Sequence, residues 1–311
     1  MFVSFVIPCY RSESTIQKVV EEINATIENA RDLTHEIVLV NDSSPDNTEG
    51  VIRDLCRQYK HIKAILLSRN FGQHSALMAG LRNASGEIVI CLDDDGQTPP
   101  GESIKLIGKL LEGYDIVFAR YQNKKHSLHR NLGSKANDWM ARKLLGKPKH
   151  IFLSSFFAVK SFIVKEVIRY DNPYPYLSGL LLRSTNRIAN TDIVHLERQN
   201  GKSGYSLKRL IRLWLNGLTN FSVKPLRIAT LVGILFSLLG FFGVLFILIN
   251  KLVNPNIEAG WTSLMAAIVF IGGIILIVLG MVGEYVGRIF VSLNKSPQYV
   301  VRETLNMDNK E

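Results

Sequence analysis

Leu92-Asp93-Asp94-Asp95-Gly96-Gln97-Thr98-Pro99-Pro100 is the stretch on which the reading of this chain turns. It follows an apolar run, Ile88-Val89-Ile90-Cys91, and precedes a helix-like segment over 102–111. Three carboxylates at a strand end repel one another unless positive charge sits among them. A divalent metal carrying a diphosphate would supply that charge; the plainer alternative is a solvated acidic turn. Taken alone, the stretch does not choose.

Working outward, residues 2–7 read as a β-rich run. Residues 14–31 carry Ile16, Val19, Val20, Ile23 and Ile27 at helical spacing. Further strands are expected at 36–40, 62–67, 87–92 and 116–119. Helices are expected around Val51, Ile52, Leu55, Cys56 and Tyr59, then at 72–84 and 104–111. Strand and helix alternate, and the strands are continuously apolar. That pattern predicts an α/β domain with a parallel sheet covered on both faces. Later strands are expected at 151–159 and 188–196, with a turn-rich connection from Tyr170 to Tyr176.

Ligands of such sheets bind beyond the carboxyl ends of the strands. Four consecutive strand ends carry Pro8-Cys9-Tyr10-Arg11-Ser12-Glu13, Asn41-Asp42-Ser43-Ser44-Pro45-Asp46, Ser68-Arg69-Asn70-Phe71-Gly72-Gln73-His74 and the triple aspartate. A purely structural rim would need little beyond Gly, Asn and Ser turns, so the convergence favours the metal–diphosphate reading. No Gly-x-Gly-x-x-Gly and no Gly-x-x-x-x-Gly-Lys lies near the first strand, which excludes those phosphate cradles. A nucleotide would instead be held by carboxylates and a metal.

The net charge of +10 is unevenly placed: seven basic and no acidic residues lie from Arg198 to Arg227, just before the most apolar part. That suits a cytoplasmic membrane surface better than a nucleic-acid groove, and no nucleic-acid partner is expected. The basic region 121–150 reads either as a solvated loop and helix or as an anion funnel over the rim. Residues 206–223 place Leu207, Leu210, Ile211, Trp214, Leu215, Leu218 and Phe221 on one face, as an interfacial helix would. Residues 228–249 and 261–283 are uncharged runs of 22 and 23 residues. Each is long enough to cross a hydrocarbon core of about 30 Å. Basic residues flank their outer ends, which places both termini in the cytoplasm. The expected organisation is a cytoplasmic domain over 1–205, an interfacial helix over 206–227, a membrane hairpin over 228–287 and a cytoplasmic tail over 288–311. Glu284 and Arg288 read as a local pair. Cys9, Cys56 and Cys91 lie in apolar runs and read as buried thiols, with no zinc spacing. The N-terminus has no basic n-region or cleavage pattern and reads as a strand rather than a signal peptide.

With these residues laid out, the chain resembles the family 2 glycosyltransferases, and more narrowly the polyprenyl-phosphate glycosyltransferases. The resemblance rests on Val6-Ile7-Pro8 with Tyr10, the segment from Asn41 to Asp46, Arg69-Asn70-Phe71-Gly72-Gln73-His74-Ser75-Ala76, and Asp93-Asp94-Asp95-Gly96-Gln97 with Pro99-Pro100. It also rests on Arg130 with Ser134 and Asn137, Glu197-Arg198 with Gly201 and Ser203, and Gly283-Glu284-Tyr285-Val286-Gly287-Arg288. It implies a GT-A fold, a Rossmann-like glycosyltransferase domain. It implies Asp93, Asp95 and Gln97 at a Mg²⁺ or Mn²⁺ ion, and Pro8, Tyr10, Glu13, Asp42 and Arg69 around the nucleotide. Arg120, Arg130, Ser134 and Arg198 would surround an acceptor phosphate, and Asp93, Asp95, Arg130 and Arg198 would carry catalysis. Three departures stand out. Arg11-Ser12 replace the family's Asn-Glu, with Glu13 one place later. Ser154-Ser155-Phe156-Phe157 lack the usual acid and arginine, so an altered sugar pocket is expected. Asp94 stands where the family commonly has alanine or valine, and is expected to be secondary.

The resemblance implies an inverting transfer of a sugar from a nucleotide-sugar, UDP-linked by preference, to undecaprenyl phosphate at a bacterial inner membrane. Such a reaction feeds lipid A, O-antigen or other envelope glycans, and relatives with such hairpins can be tetramers. Two alternatives are transfer to a hydroxyl on a lipid-linked glycan, which would need an acidic base near Ser154-Ser155, and a non-catalytic membrane partner.

Overall fold

The computed structural model describes residues 1–30, 32–121, 147–173, 175–194, 260–293 and 297–307, with isolated positions at 142, 238, 242, 245, 246, 249 and 253. Two compact units emerge, Met1–Tyr205 with Lys295–Glu311, and Ser206–Asn294.

The first unit is an eight-stranded sheet clad by helices. The strands are β1 (Phe2–Cys9), β2 (Thr34–Asn41), β3 (Ile62–Leu67), β4 (Ile88–Cys91), β5 (Ile116–Tyr121), β6 (Phe157–Lys160), β7 (Ile188–Ile193) and β8 (Val301–Leu305). Their spatial order is β7-β5-β6-β4-β1-β2-β3-β8. The helices are α1 (Ile16–Glu28), α2 (Thr48–Gln58), α3 (Gln73–Asn83), α4 (Ser103–Leu111), α5 (Ser161–Val167) and α6 (Leu177–Ser184). α1 buries Ile16, Val19, Val20, Ile23 and Ile27, the stripe that its spacing predicts.

The chain runs outward from β1 through β2 to β3, then returns to lay β4 on the other side of β1. Two neighbouring parallel strands therefore lead away from each other at their carboxyl ends, which opens a crevice between them. The register aligns Val6 with Cys91, so the triple aspartate emerges beside Tyr10.

The sheet is mixed rather than parallel throughout. β6 runs antiparallel between β4 and β5, and β8 runs antiparallel along β3. A strand's direction depends on the side from which the chain enters, which its side-chain pattern does not encode. Residues 151–156, expected as strand, form a loop instead. Asn190 holds it by accepting from the Phe152 N–H at 2.8 Å and donating to the carbonyls of Phe118 and Phe152.

β8 lies within the expected tail. Glu303 pairs with Arg53 at 2.5 Å, Arg302 with Glu49 at 2.5 Å, and the Asn306 amide donates to the carbonyls of Cys56 and Ile62 at 2.6 and 2.9 Å. The Gln298 amide donates to the carbonyls of Tyr170 and Asn172. The segment 298–306 is thus stitched to the sheet edge and to the loop before α6.

Toward the amino ends of the central strands, Glu36 is only 3% exposed. Its Oε1 accepts from the Ser4 hydroxyl at 2.6 Å and from the Ser85 N–H and hydroxyl at 2.6 and 2.8 Å; its Oε2 accepts from Lys63 at 2.6 Å. Burial would raise this carboxyl, but these bonds outweigh it and hold it below the usual glutamate range.

α3 lies close on β1 and β2 because position 80 is glycine. A Cβ there would meet Val6 Cγ1 at 2.3 Å and Val40 Cγ2 at 3.1 Å. Both neighbours are stiff β-branched side chains. Gly80→Ala should cost about 1–3 kcal/mol, read as a lower thermal midpoint of the detergent-solubilised protein.

In the second unit, α7 (Trp261–Leu293) runs 33 residues, about 50 Å at 1.5 Å per residue. Phe270–Gly287 within it is long and apolar enough to cross a membrane, and Leu276, Ile277 and Leu279 are exposed. The helix continues ten residues past Gly283, where the second span was expected to end, because no breaker interrupts it. The side chains of Glu284 and Arg288 are not among those described. Of the first expected span, positions 238, 242, 245, 246 and 249 are described and each is helical. The expected interfacial helix at 206–227 lies outside the described residues.

Candidate active site at the β1 and β4 strand ends

The turn after β1 is backbone-strained. Arg11 has φ +60°, and across from it Ser43 has φ +52°. A non-glycine residue held there costs roughly 1–2 kcal/mol, and persists only where its surroundings over-determine it. The Arg11 N–H donates to Ser44 Oγ at 2.7 Å and the Ser12 N–H to Thr48 Oγ1 at 2.8 Å. Asp46 gathers the hydroxyls of Ser44 and Thr48, and although burial acts the other way, these bonds hold its carboxyl below the usual range. Tyr10 is left 44% exposed at the rim. Glu13, expected at the nucleotide, accepts from the Asn47 N–H at 2.8 Å, just ahead of α2.

The turn after β4 spreads its three carboxylates in different directions. Asp93 faces α3 and the 151–156 loop: its Oδ1 accepts from the Gln73 amide at 2.8 Å and its Oδ2 from the Ser155 hydroxyl. Tyr121, at the end of β5, adds its hydroxyl to this group through Ser155 and Thr98. Asp94 faces the β1 turn: its Oδ2 accepts from the Tyr10 N–H at 2.9 Å and from the Ser12 hydroxyl. Asp95 accepts from the Gln97 N–H at 3.1 Å, across Gly96 with φ +67°. Burial, together with the negative charge of Asp95 and Asp94, pushes the Asp93 carboxyl up to about 6. Burial also raises Asp94.

Asp42, at the end of β2, grips the turn into α3, accepting from the N–H groups of Phe71 and Gly72 at 2.7 and 2.8 Å. Burial nevertheless raises its carboxyl. Arg69 stacks on the Phe71 ring at 4.7 Å. Pro8 lies within β1, paired with Val40. Arg120, expected at an acceptor phosphate, is held by Asp192 of the neighbouring strand β7 through Nε and, at 2.9 Å, Nη2. Arg130, Ser134 and Arg198 lie outside the described residues. The structure thus brings Tyr10, Asp93, Asp94, Asp95 and Gln97 to one crevice. It adds Ser12, Gln73, Thr98, Tyr121 and Ser155, to which the sequence reading gave no role.

The donor set suits a divalent cation in part. Crowded carboxylates that raise one another's affinity for protons are relieved by a cation among them. Among the described residues no group of three or more His, Cys, Asp and Glu side chains converges on one point. A hard divalent ion takes oxygen ligands, which one or two carboxylates together with a diphosphate would provide.

The fold is found in solved structures. Glucosyl-3-phosphoglycerate synthase from Mycobacterium tuberculosis, in complex with Mn²⁺ and uridine-diphosphate-glucose, superposes with a TM-score of 0.54 at 20% identity, covering 70% of this chain and 78% of that one. Its complex with Mn²⁺, uridine-diphosphate and glucosyl-3-phosphoglycerate gives 0.53 at 19%, covering 70% and 79%. Fold and rim together define an α/β glycosyltransferase domain of the GT-A type. Residues 4–168 match the profile of glycosyl transferase family 2, and residues 224–289 match the GtrB C-terminal hairpin. Over 99% of its length the chain is 33% identical to undecaprenyl-phosphate 4-deoxy-4-formamido-L-arabinose transferases from Yersinia pestis and Yersinia pseudotuberculosis, covering 95% of each. The chain belongs to glycosyl transferase family 2, and it is an enzyme of sugar transfer.

Proposed function

We propose that the protein transfers a sugar from a nucleotide diphosphate, UDP by preference, to undecaprenyl phosphate at the cytoplasmic face of a bacterial inner membrane. The carrying observation is the juxtaposition of the Asp93-Asp94-Asp95 loop with the Tyr10 turn, in a chain that aligns end to end with undecaprenyl-phosphate sugar transferases. The UDP-glucose complex of the structural neighbour supports the choice of nucleotide.

An acceptor phosphate is ionised near neutral pH, so attack needs no general base. Positioning and charge compensation remain. The Tyr10 turn and the Asp42-held turn would frame the nucleotide. Asp93, Asp95 and Gln97 would hold Mg²⁺ or Mn²⁺, which when bound neutralises charge on the departing diphosphate. Arg130, Ser134 and Arg198 would bind the acceptor phosphate by charge-assisted hydrogen bonds. Arg120 would join them only by exchanging Asp192 for phosphate. Single displacement with inversion follows from one attacking oxygen and no protein nucleophile in this scheme.

Topology supports two crossings. β8 follows α7 in sequence yet pairs with β3, so the flanks of the apolar region lie on one side of any membrane it crosses. The number of crossings is then even. α7, long and apolar enough to cross, would supply one, and residues 228–249 the other.

The test is transfer from labelled nucleotide sugars to undecaprenyl phosphate by purified protein, with and without EDTA. UDP-4-deoxy-4-formamido-L-arabinose is tried first, because of the relatives' names. Metal-dependent product is expected, and none across UDP- and GDP-sugars would refute the proposal. For topology, Asn254→Cys should react with a membrane-impermeant maleimide in intact cells. Asn309→Cys should react only after permeabilisation, and labelling at both would rule out the hairpin.

A further inference from the structure

Asp94 stands apart from its neighbours in what it touches. Both of its described partners, the Tyr10 N–H and the Ser12 hydroxyl, belong to the turn after β1, more than eighty residues away in the chain. That turn carries Arg11 in the left-handed region. On its other side it is held by Ser44 of the β2–α2 loop and by Thr48, the first residue of α2. The turn is therefore clamped from two strand ends at once. Asp94 is the clamp on the side of the acidic loop.

We propose that Asp94 is a positioning residue, tying the turn that frames the nucleotide to the loop that carries Asp93 and Asp95. Ser12 supplies the hydroxyl, and Asp94 supplies a carboxylate long enough to reach it. An alanine or valine at position 94 could accept neither bond. Asp95 on one side and Asp93 on the other point to different partners, so the clamp leaves their placement to other contacts. The consequence is a fixed spacing between the base-side and diphosphate-side halves of the crevice before a donor arrives. Such preorganisation is read chiefly in donor affinity.

The inference rests on the donor reading above. The experiment therefore uses UDP and GDP, each with Mn²⁺, on the full-length protein in detergent. A wrong choice of nucleotide shows in the wild type, whereas the clamp is judged by the ratio of variant to wild type for whichever nucleotide binds. Asp94→Ala should weaken that binding about tenfold or more, the loss expected for hydrogen bonds to a charged group. Ser12→Ala should act in the same direction with a smaller ratio. Asp94→Asn, which keeps an acceptor oxygen, should recover part of the loss. The double variant Ser12→Ala/Asp94→Ala should bind no worse than Asp94→Ala, since Asp94→Ala already removes the bond to Ser12. In transfer assays the KM for undecaprenyl phosphate should stay within about twofold of wild type while the donor KM rises. Two results would overturn the proposal. One is Ser12→Ala binding like wild type while Asp94→Ala fails, which would place Asp94 on the metal. The other is unchanged nucleotide affinity in Asp94→Ala, whatever its thermal midpoint.

Discussion

Asp95→Ala should lower sugar transfer by about 10³-fold or more, with the protein still membrane-inserted and folded. The three adjacent aspartates do not share one job. Asp93 has both oxygens engaged by neutral donors, Gln73 and Ser155, and its burial makes it reluctant to carry charge without a cation. Asp94 faces the β1 turn. Asp95 is set by the short turn across Gly96 and is the carboxylate we place first at the metal. Because the departing diphosphate carries the charge that develops, loss of its counter-ion should appear in kcat rather than in acceptor binding. The measurement is initial rate against Mn²⁺ and Mg²⁺ concentration, with membrane flotation and thermal midpoint as folding controls. Near wild-type turnover by Asp95→Ala in excess metal would sink the assignment.

Glu36→Ala should destabilise the first unit by about 3–5 kcal/mol, the range for breaking a buried charge pair. Its carboxylate collects donors from three separate places: Ser4 on β1, Lys63 on β3 and Ser85 before β4. Removing it strands several donors at once, and Gly86 is already so close to Ser4 that a Cβ would lie 2.5 Å from its nitrogen. The pH dependence has a definite sign. The folded carboxyl titrates below the unfolded one. Its contribution is therefore complete above the unfolded value of about 4.3 and is lost as pH falls through the folded value. The gap in thermal midpoint between wild type and Glu36→Gln should be widest near neutrality and should narrow below pH ~4.3. A gap that widens on acidification would reverse the argument.

The alternation of elements over the first 121 residues was legible because α1, α2 and α4 bury regular stripes and the strands carry apolar runs. β3 matches its expected bounds and α3 falls within one residue of its own. The elements that escaped were those whose identity depends on distant chain. β6, Phe-Ala-Val-Lys, falls at the end of a run expected as strand, but its antiparallel sense is set by the path into it. β8 is Val-Arg-Glu-Thr-Leu, largely exposed along a sheet edge, and reads as a polar tail until Arg53 and Glu49 are seen beside it. α5 and α6 are too short to show a period. The same holds at the site. Which residues gather at the rim followed from strand ends. Which carboxylate faces which partner did not, because Asp94 meets Ser12, Asp93 meets Ser155 and Arg120 meets Asp192 only across the sheet. Cys9, Cys56 and Cys91 are buried free thiols, as their apolar settings suggested.

The position of β8 has a consequence for biosynthesis. A ribosome makes the strand that seals the edge of β3 only after the whole apolar region has been synthesised. Until then the nascent sheet presents an open edge, the kind of surface that invites wrong pairing. By the time the last strand emerges, α7, long and apolar enough to cross a membrane, has already been made. Completion of the sheet therefore waits on synthesis of the whole apolar region.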